Sequence, residues 1–454
     1  MAALTDIHRY LDTHLDESLS ELIAFCAQPS VAATGEGIAA CAELTGAMLQ
    51  NRGFAVELIP TGGSPVVYGY RPGKSDKTLL FYNHYDVQPA DPVELWDSPP
   101  FEPEVRDGKM YARGVSDDKG HVVSRLFALD ALLAEDGELP CGVKFLIEGE
   151  EEISSPHLGP VILDNLEKFA ADACIWEFGG VNHEESPGLT LGMRGICYVE
   201  LSVETASQDA HSGLGGSIFP NPAWRLVWAL RSIKGTDGRV QIPGFYDNIR
   251  PPTERDKAML AALPPVMDEL RSRYGVKSFL GDPESELELR IKEVFEPSAT
   301  ICGLDAGYQG KGSKTVLPHR ASSKMDFRLV PDQRPEDIFE KLRRHLDAEG
   351  FEDVLLHYHG GTTPARSDPD DPFFKLVTDA AEPIYGVPVV VEPIIGGSGP
   401  SSYFIHDLGL PVATSGVGHP GSQAHAPNEN LRIDLYLKGA KHAASILKAF
   451  GENG

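Results

Sequence analysis

The chain has 454 residues, more than one hydrophobic core usually holds, so two domains are expected. Its 40 basic and 67 acidic residues give a formal net charge of −27, which disfavours binding to nucleic acid or to an anionic membrane surface. The six cysteines are scattered without a C-x-x-C pair, so neither a disulfide framework nor a zinc ribbon is expected. The first residues lack the features of a secretory signal and no stretch is apolar enough to span a membrane, so a cytoplasmic location is expected.

Helix-like and strand-like runs alternate in the first part of the chain. Apolar residues recur at helical spacing between Leu4 and Ile23, and a second helix is expected at 38–51. The next predicted elements are a strand at 78–82, a helix at 122–135, and strands at 143–148 and 173–176. This alternation predicts an α/β fold with helices covering a largely parallel sheet. Ligands of such sheets bind beyond the carboxyl ends of the strands, where His84, Glu151 and Glu177 fall.

The pattern changes near Gly195. The predicted elements are a strand at 196–203, a helix at 222–233, a long helix at 251–274, a strand at 323–329, a helix at 335–346 and a strand at 354–358. Two β-α-β halves of this kind predict a compact α+β domain of ferredoxin-like type.

The α/β pattern returns from about Pro372. A helix is predicted at 373–385, strands at 387–391 and 411–415, and a final amphipathic helix at 431–450. We therefore interpret the chain as one α/β domain, formed by residues 1–193 and 367–454, that is interrupted by an inserted domain at 194–366.

Three adjacent glutamates, Glu150, Glu151 and Glu152, follow the strand predicted at 143–148. Carboxylates at the end of a buried strand repel each other and lose hydration, which a bound cation would offset. A metal ion needs carboxylate ligands, and a water that it activates needs a nearby base. Taken alone, a glutamate triplet is more often a solvated turn, so the other segments must decide.

Three further segments carry candidate metal ligands. His84 and Asp86 share a face at a strand end, where the aspartate could hold the imidazole. Asp117 opens the helix predicted at 122–135, where a carboxylate caps the helix or bridges two cations. His419 and His425 lie in a Gly/Pro-rich loop before the last helix, and both are free to reach a site. Each segment alone is more often an ordinary polar feature.

Together, these segments resemble the M20 family of metallopeptidases, which includes carnosinase-like dipeptidases, glutamate carboxypeptidase, aminoacylase and succinyl-diaminopimelate desuccinylase. The matching motifs are H-Y-D-V, D-D-K-G, E-E-E, I-W-E and the histidine-containing loop, in the family's order and over nearly the whole chain. The resemblance implies a zinc-peptidase-like catalytic domain interrupted by a ferredoxin-like lid or dimerisation domain.

The resemblance implies a site for two zinc ions, with cobalt or manganese as alternatives that the nitrogen and oxygen ligands also allow. The implied metal ligands are His84, Asp117, Glu152, Glu177 and His425. Asp117 bridges the ions, His84 and Glu177 share one ion, and a cis peptide follows Asp117. Asp86 supports His84, and Glu151 is the catalytic base. Glu150 has no counterpart in the family and is expected to be solvated.

The resemblance also implies residues that contact the substrate. His211 would stabilise the oxyanion of the tetrahedral intermediate, reaching in from the partner subunit of a homodimer. Arg328, whose guanidinium suits bidentate binding of a carboxylate, would hold the substrate together with Thr315 and Ser398. His359 is a further candidate for the same pocket.

The implied function is hydrolysis of the amide bond of a dipeptide or short peptide by a metal-bridging water. The motifs look most like those of the carnosinase-like dipeptidases, which usually carry Asp at the position of Glu177. Glutamate there is more usual in the carboxypeptidase and deacylase branches, so a carboxypeptidase or an N-acyl amino acid deacylase stays open. A catalytically silent scaffold that binds metal or peptide is the alternative from another class, although all ligand positions and the base are filled.

Overall fold

The structure is a computed structural model that describes residues 2–452. Its helices, in chain order, are α1 (Leu4–Thr13), α2 (Leu15–Ala27), α3 (Ile38–Asn51), α4 (Lys119–Asp136), α5 (Leu158–Asp164), α6 (Leu166–Phe169), α7 (Ser212–Gly215), α8 (Pro222–Ile233), α9 (Glu254–Ala261), α10 (Met267–Tyr274), α11 (Glu286–Phe295), α12 (Pro335–Ala348), α13 (Pro372–Tyr385) and α14 (Ile433–Glu452). No helix between residues 2 and 452 has both the length and the apolar character that crossing a membrane requires.

The strands, in chain order, are β1 (Ala55–Ile59), β2 (Val66–Arg71), β3 (Thr78–His84), β4 (Glu104–Arg106), β5 (Lys109–Tyr111), β6 (Gly142–Glu148), β7 (Ala173–Trp176), β8 (Gly180–Val181), β9 (Pro187–Thr190), β10 (Gly192–Met193), β11 (Gly195–Glu204), β12 (Ala210–His211), β13 (Ser298–Ala306), β14 (Val316–Leu317), β15 (Arg320–Leu329), β16 (Leu355–Thr362), β17 (Ala365–Arg366), β18 (Val390–Glu392), β19 (Val412–Thr414) and β20 (Asn430–Arg432).

Two compact units make up the described chain. The first runs up to Leu191 and returns at Ser367–Glu392 and from Tyr403 onward, and the second comprises Gly192–Arg366 with Pro393–Ser402. The sequence-based division placed 393–402 in the α/β domain, whereas these residues group with the second unit because Ile395 exchanges backbone hydrogen bonds with Gly192 and Arg194. The catalytic and lid or dimerisation roles of the two parts stay predictions.

The first unit is built on a six-stranded sheet in the order β1-β2-β6-β3-β7-β19. The strands β6, β3, β7 and β19 are parallel, and β2 joins β6 in antiparallel register with β1 beyond it. The strand β3 is buried along almost its whole length, which is typical of a parallel strand covered on both faces. Helix α4 packs against α1, α2 and α14. The predicted α/β class with a mainly parallel sheet is therefore confirmed.

The second unit contains a four-stranded antiparallel sheet in the order β13-β15-β11-β16. Along β11, alternate residues from Cys197 to Val203 are buried, and they share one core with Leu226 of α8 and Leu342 of α12. The chain order β11-α8-β13-β15-α12-β16 and this sheet order are those of a ferredoxin-like fold. The predicted class of the inserted domain is confirmed.

Several predicted boundaries differ from the structure. The long helix predicted at 251–274 is two short helices, α9 and α10, separated by Pro264 and Pro265. Proline lacks the backbone N–H and clashes with the preceding turn, so the pair stops a helix. The first amphipathic segment is likewise two helices, which meet at His14. The strand predicted at 387–391 begins only at Val390.

Candidate metal centre

Four of the candidate site residues lie at or shortly after the ends of neighbouring strands of the first unit. His84 is the last residue of β3, and Glu177 directly follows β7, the strand beside it. Glu151 and Glu152 come after β6, the parallel neighbour of β3 on its other side. Because the carboxyl ends of parallel strands lie at one edge of a sheet, the fold collects these side chains in one place.

The Asp117 carboxylate lies between two histidines. Its Oδ1 is 3.0 Å from Nε2 of His84, and its Oδ2 is 3.0 Å from Nε2 of His425. The same nitrogen of His425 is 3.0 Å from Oε2 of Glu152. His84, Asp117 and Glu152 each offer a ligand atom within 4.8 Å of the others. This geometry suits a carboxylate shared by two cations, although the ligand roles stay predictions.

Asp86 holds His84 and the turn that follows β6. The backbone carbonyl of Asp86 accepts a hydrogen bond of 3.0 Å from Nδ1 of His84, and its Oδ1 lies 3.4 Å from the same nitrogen. The carboxylate also accepts the backbone N–H groups of Glu151 (3.3 Å) and Glu152 (3.0 Å). A proton on Nδ1 leaves Nε2 of His84 free to bind a cation, and this is how ligand histidines are usually oriented.

The surroundings of two acidic side chains, Glu177 and Glu151, show whether these residues fit a metal ion. Glu177 is buried, and within the described chain its Oε2 has no hydrogen-bond partner. Burial and the charge of Glu151 raise the pKa of Glu177 well above its ordinary value. Burial, together with Asp117 and Glu152, raises the pKa of Glu151 to about 7, against the opposing effect of His84. A divalent cation would neutralise this crowding, and the nitrogen and oxygen donors match those of zinc.

Two predicted residues of the second unit, His211 and Thr315, are brought together by the short pair of strands β12 and β14. The carbonyl of Thr315 accepts the N–H of Ser212 at 3.0 Å. The N–H of Gly213 donates to Nδ1 of His211 at 3.0 Å, so the neutral ring carries its proton on Nε2. His211 is exposed and presents that N–H as a donor.

Arg328 and Ser398 form a second group. Nη1 of Arg328 donates to Oγ of Ser398 at 3.0 Å, and its Nε lies 3.2 Å from Oδ2 of Asp326. His359 lies on β16, where its Nε2 is 3.2 Å from Oε2 of Glu200. The predicted substrate contacts of the second unit therefore occupy three local groups, and their roles stay predictions.

The sequence model of Peptidase family M20/M25/M40 matches residues 80–449. The chain belongs to this family. It is 28% identical to the Beta-Ala-His dipeptidase of Mus musculus, over 98% of this chain and 94% of that protein. It is 31% identical to the Cys-Gly metallodipeptidase dug1 of Schizosaccharomyces pombe, over 83% and 81%. Among solved structures, an M20 family metallo-carboxypeptidase from Sulfolobus solfataricus is 38% identical with a TM-score of 0.90, covering 96% of this chain and 99% of that one. The predicted class of enzyme, a metallopeptidase, is confirmed.

In this M20 peptidase, the side chain of Asp118 forms hydrogen bonds that hold the end of β3, where His84 lies. The peptide bond between Asp117 and Asp118 is cis, as the resemblance implied. Oδ2 of Asp118 accepts hydrogen bonds from Nδ2 of Asn83 (2.5 Å) and from the backbone N–H of His84 (3.2 Å), and Oδ1 lies 2.9 Å from Nδ1 of His121. No role for Asp118 was predicted from the sequence, although the D-D doublet is a signal that could have indicated one.

Arg125 ties several strand ends together. This fully buried side chain donates to the carbonyls of Tyr82 (3.0 Å), Glu177 (3.1 Å) and Ser415 (3.2 Å). Tyr82 lies two residues before the end of β3, and Glu177 and Ser415 directly follow β7 and β19. Arg125 was not predicted from the sequence either. An arginine within the largely apolar helix predicted at 122–135 was the available signal.

The structure shows which contacts Glu150 makes and which of His419 and His425 lies at the candidate centre. Glu150, expected to be solvated, is buried: its Oε2 lies 2.7 Å from Nδ1 of His157, and its Oε1 accepts the N–H of Ser64. That expectation was wrong. Of the two histidines in the last loop, His425 joins the candidate centre, whereas His419 contacts Oδ1 of Asn430 at 3.1 Å.

Metal binding should release protons. Hydrogen bonds to Asp117 and Glu152 raise the pKa of His425 to about 10. Burial lowers the pKa of His84, but its bonds to Asp117 and Asp86 raise it well above the ordinary value. Both shifts favour the protonated form of the rings in the metal-free protein, so a metal must displace protons when it binds. We expect zinc affinity to rise with pH until it levels off near pH 10, where His425 loses its proton without metal.

Calorimetric titration with zinc in buffers of different ionisation enthalpy measures the released protons. The wild-type protein should release at least about one proton per chain, and His425→Ala should release fewer. Heats that do not depend on the buffer would contradict this expectation.

Proposed function

We propose that this chain is a metal-dependent peptidase that hydrolyses the amide bond of dipeptides or related short peptides. The observation that carries the proposal is the position of the Asp117 carboxylate between His84 and His425, with Glu151 and Glu152 on the adjacent turn. The names of the relatives support it, since they include dipeptidases of two kinds and a carboxypeptidase.

The residues proposed to hold two divalent ions are His84, Asp117, Glu152, Glu177 and His425. Zinc fits their nitrogen and oxygen atoms, and cobalt or manganese is the alternative. When bound, such ions polarise the scissile carbonyl and make water a nucleophile near neutral pH.

Glu151 is the proposed general base. In the metal-free protein, burial and its acidic neighbours raise its pKa to about 7, so this carboxylate binds a proton more readily than an exposed glutamate does. It accepts a proton from the attacking water and passes it to the leaving amine, so the carboxylate is regenerated in each cycle. Nε2–H of His211 is the proposed donor to the oxyanion of the tetrahedral intermediate. Asp86 keeps the Glu151 turn in place through the backbone.

Arg328 is the proposed anchor for the substrate's terminal carboxylate. Its guanidinium already contacts Ser398, whose hydroxyl supplies a further donor in the same place. Thr315 and His359 are proposed as additional contacts on the second unit. A site of this kind selects peptides with a free carboxyl end.

Glu151→Gln tests the base. The variant keeps the size of the side chain but cannot accept a proton, so kcat should fall by roughly 10²- to 10⁴-fold. Metal content, measured by elemental analysis after dialysis, should stay at the wild-type level. Near-normal turnover with metal bound would contradict the role of Glu151. Absence of both metal and turnover in the wild-type protein would instead favour a silent binding scaffold.

A carboxypeptidase is the second candidate, favoured by Glu177 in place of the aspartate usual in carnosinase-like dipeptidases. The 38% identity to a metallo-carboxypeptidase supports it too. The two activities differ in how they treat the substrate's amino end, because a dipeptidase needs a free amine and a carboxypeptidase accepts a blocked one. An N-acyl amino acid deacylase would cleave N-acetyl amino acids.

A substrate panel separates these activities. Free dipeptides, N-acetyl dipeptides, C-amidated dipeptides and N-acetyl amino acids are compared by kcat/KM. Amidation should abolish turnover for every candidate, since it removes the carboxylate proposed to contact Arg328. Arg328→Lys should lower kcat/KM by roughly 10- to 100-fold on the preferred substrate, whereas Arg320→Lys, an exposed change on the same strand, should have little effect. Equal rates on amidated and free peptides would refute the carboxylate anchor.

We also propose that the chain forms a homodimer through the second unit, with His211 serving the partner's site. Helix α8 exposes Trp224 (60%) and Trp228 (55%), whose rings stack with centroids 6.1 Å apart. The same unit exposes Leu214 and Ile218 close to His211 in the chain. Exposed apolar side chains of this size mark an interaction surface.

Sedimentation velocity tests the dimer. The wild-type protein should sediment as a dimer, and the double variant Trp224→Ser/Trp228→Ser should shift towards monomer and lose activity. Tyr274→Ser, which removes another exposed aromatic side chain of the same unit, serves as the control and should remain dimeric. A wild-type monomer with full activity would contradict both the dimer and the action of His211 across it.

A further inference from the structure

One buried carboxylate organises the loop that carries Asp117. The side chain of Glu429 is fully buried and accepts four hydrogen bonds. Its Oε1 accepts the backbone N–H groups of Ser116 (2.9 Å) and Asp117 (3.0 Å). Its Oε2 accepts the N–H of Gly114 (2.9 Å) and Nη1 of Arg113 (2.7 Å). The backbone that presents Asp117 is thus bonded directly to Glu429.

The backbone reinforces this connection. Strand β20, which begins directly after Glu429, pairs with β5, and β5 leads into the Asp117 loop. The N–H of Ala112 donates to the carbonyl of Glu429 at 3.2 Å. His425 lies four residues before Glu429 on the same segment. One short segment therefore carries both a candidate ligand and the group that fixes another ligand's loop.

The four donors explain why a carboxylate occupies this position. A buried negative charge is costly unless it is hydrogen-bonded and balanced, and here Arg113 supplies the balancing charge. Glutamine has one acceptor oxygen, and its amide would place N–H groups against the backbone donors. Aspartate keeps both oxygens but is one methylene shorter, so it cannot span all four donors.

We propose that Glu429 is a positioning residue that fixes the Asp117 carboxylate between His84 and His425 and so raises the affinity of the centre for metal. The inference rests on the proposed metal site. The two oxygens of Glu429 have separate roles. Oε1 holds the backbone of Asp117 itself, whereas Oε2 contacts Arg113, which balances the charge and also donates to the carbonyl of Pro89 at 3.1 Å.

Metal affinity of Glu429→Gln tests the proposal. The zinc dissociation constant is measured by competition with a chromogenic chelator, and the visible spectrum of the cobalt-substituted protein reports the geometry of the centre. We expect affinity to fall roughly 10- to 100-fold, as is usual when a group that orients a ligand is lost. The cobalt spectrum should change as well. Neither readout requires turnover.

Asp256→Asn is the matched control. Asp256 is also a buried carboxylate, which pairs with Arg366 and accepts the backbone N–H of Thr253, but it lies in the second unit. Its loss should lower thermal stability and leave the zinc affinity and the cobalt spectrum unchanged. Arg113→Lys is the second comparison: it retains the positive charge and leaves the Oε1 bonds to Ser116 and Asp117 in place, so affinity should fall less than in Glu429→Gln.

The outcomes separate this inference from the proposed function. If Glu429→Gln binds zinc as tightly as the wild-type protein with an unchanged cobalt spectrum, the positioning role is wrong and the proposed function stands. If Glu429→Gln does not fold, Glu429→Asp decides in the same assays: intermediate affinity supports the role, and wild-type affinity and spectrum overturn it. A wild-type protein that binds no metal would overturn both.

Discussion

Crowding of carboxylates at one edge of the central sheet is the constraint around which the first unit is organised. Glu151 and Glu152 follow β6 and Glu177 follows β7, the two strands that flank β3, and Asp117 lies just before α4. Removing such groups from water while they repel one another is unfavourable, and the raised pKa values of Glu151 and Glu177 express that cost. In the metal-free protein, protons on His84 and His425 supply the balancing charge; in the proposed enzyme, two cations replace them.

The groups that hold this edge in place act mainly through backbone atoms. Asp86 binds the N–H groups of Glu151 and Glu152, Asp118 binds that of His84, and Arg125 binds carbonyls near three strand ends. Hydrogen bonds to backbone atoms fix the position from which a side chain projects and leave its own polar atoms free. The ligand atoms of the candidate centre therefore remain available to a cation, although the surrounding polar network is dense.

Structural features that depend on local sequence pattern could be predicted, whereas hydrogen bonds between residues far apart in the chain could not. Alternating strand-like and helix-like runs predicted both fold classes, and the strand ends pointed to His84 and Glu177. The Asp117 loop and Glu429 are 312 residues apart, so no local pattern could indicate their bond. Glu150 was misread for the same reason, since its Oε1 accepts the backbone N–H of Ser64, which is 86 residues away in the chain. The break at Pro264 and Pro265 was visible in the sequence and should have limited the helix predicted at 251–274.

The three adjacent glutamates show how position gives one residue type three roles. Glu150 contacts Nδ1 of His157 and accepts the backbone N–H of Ser64, so it stabilises the turn. Glu152 accepts a hydrogen bond from Gln88 and contacts His425, which places it in the proposed metal centre. Glu151 lies between them, held through its backbone N–H by Asp86 while burial and its acidic neighbours raise its pKa. A carboxyl group held in this way beside the proposed cation site is placed to accept a proton from water and to pass it to a leaving amine.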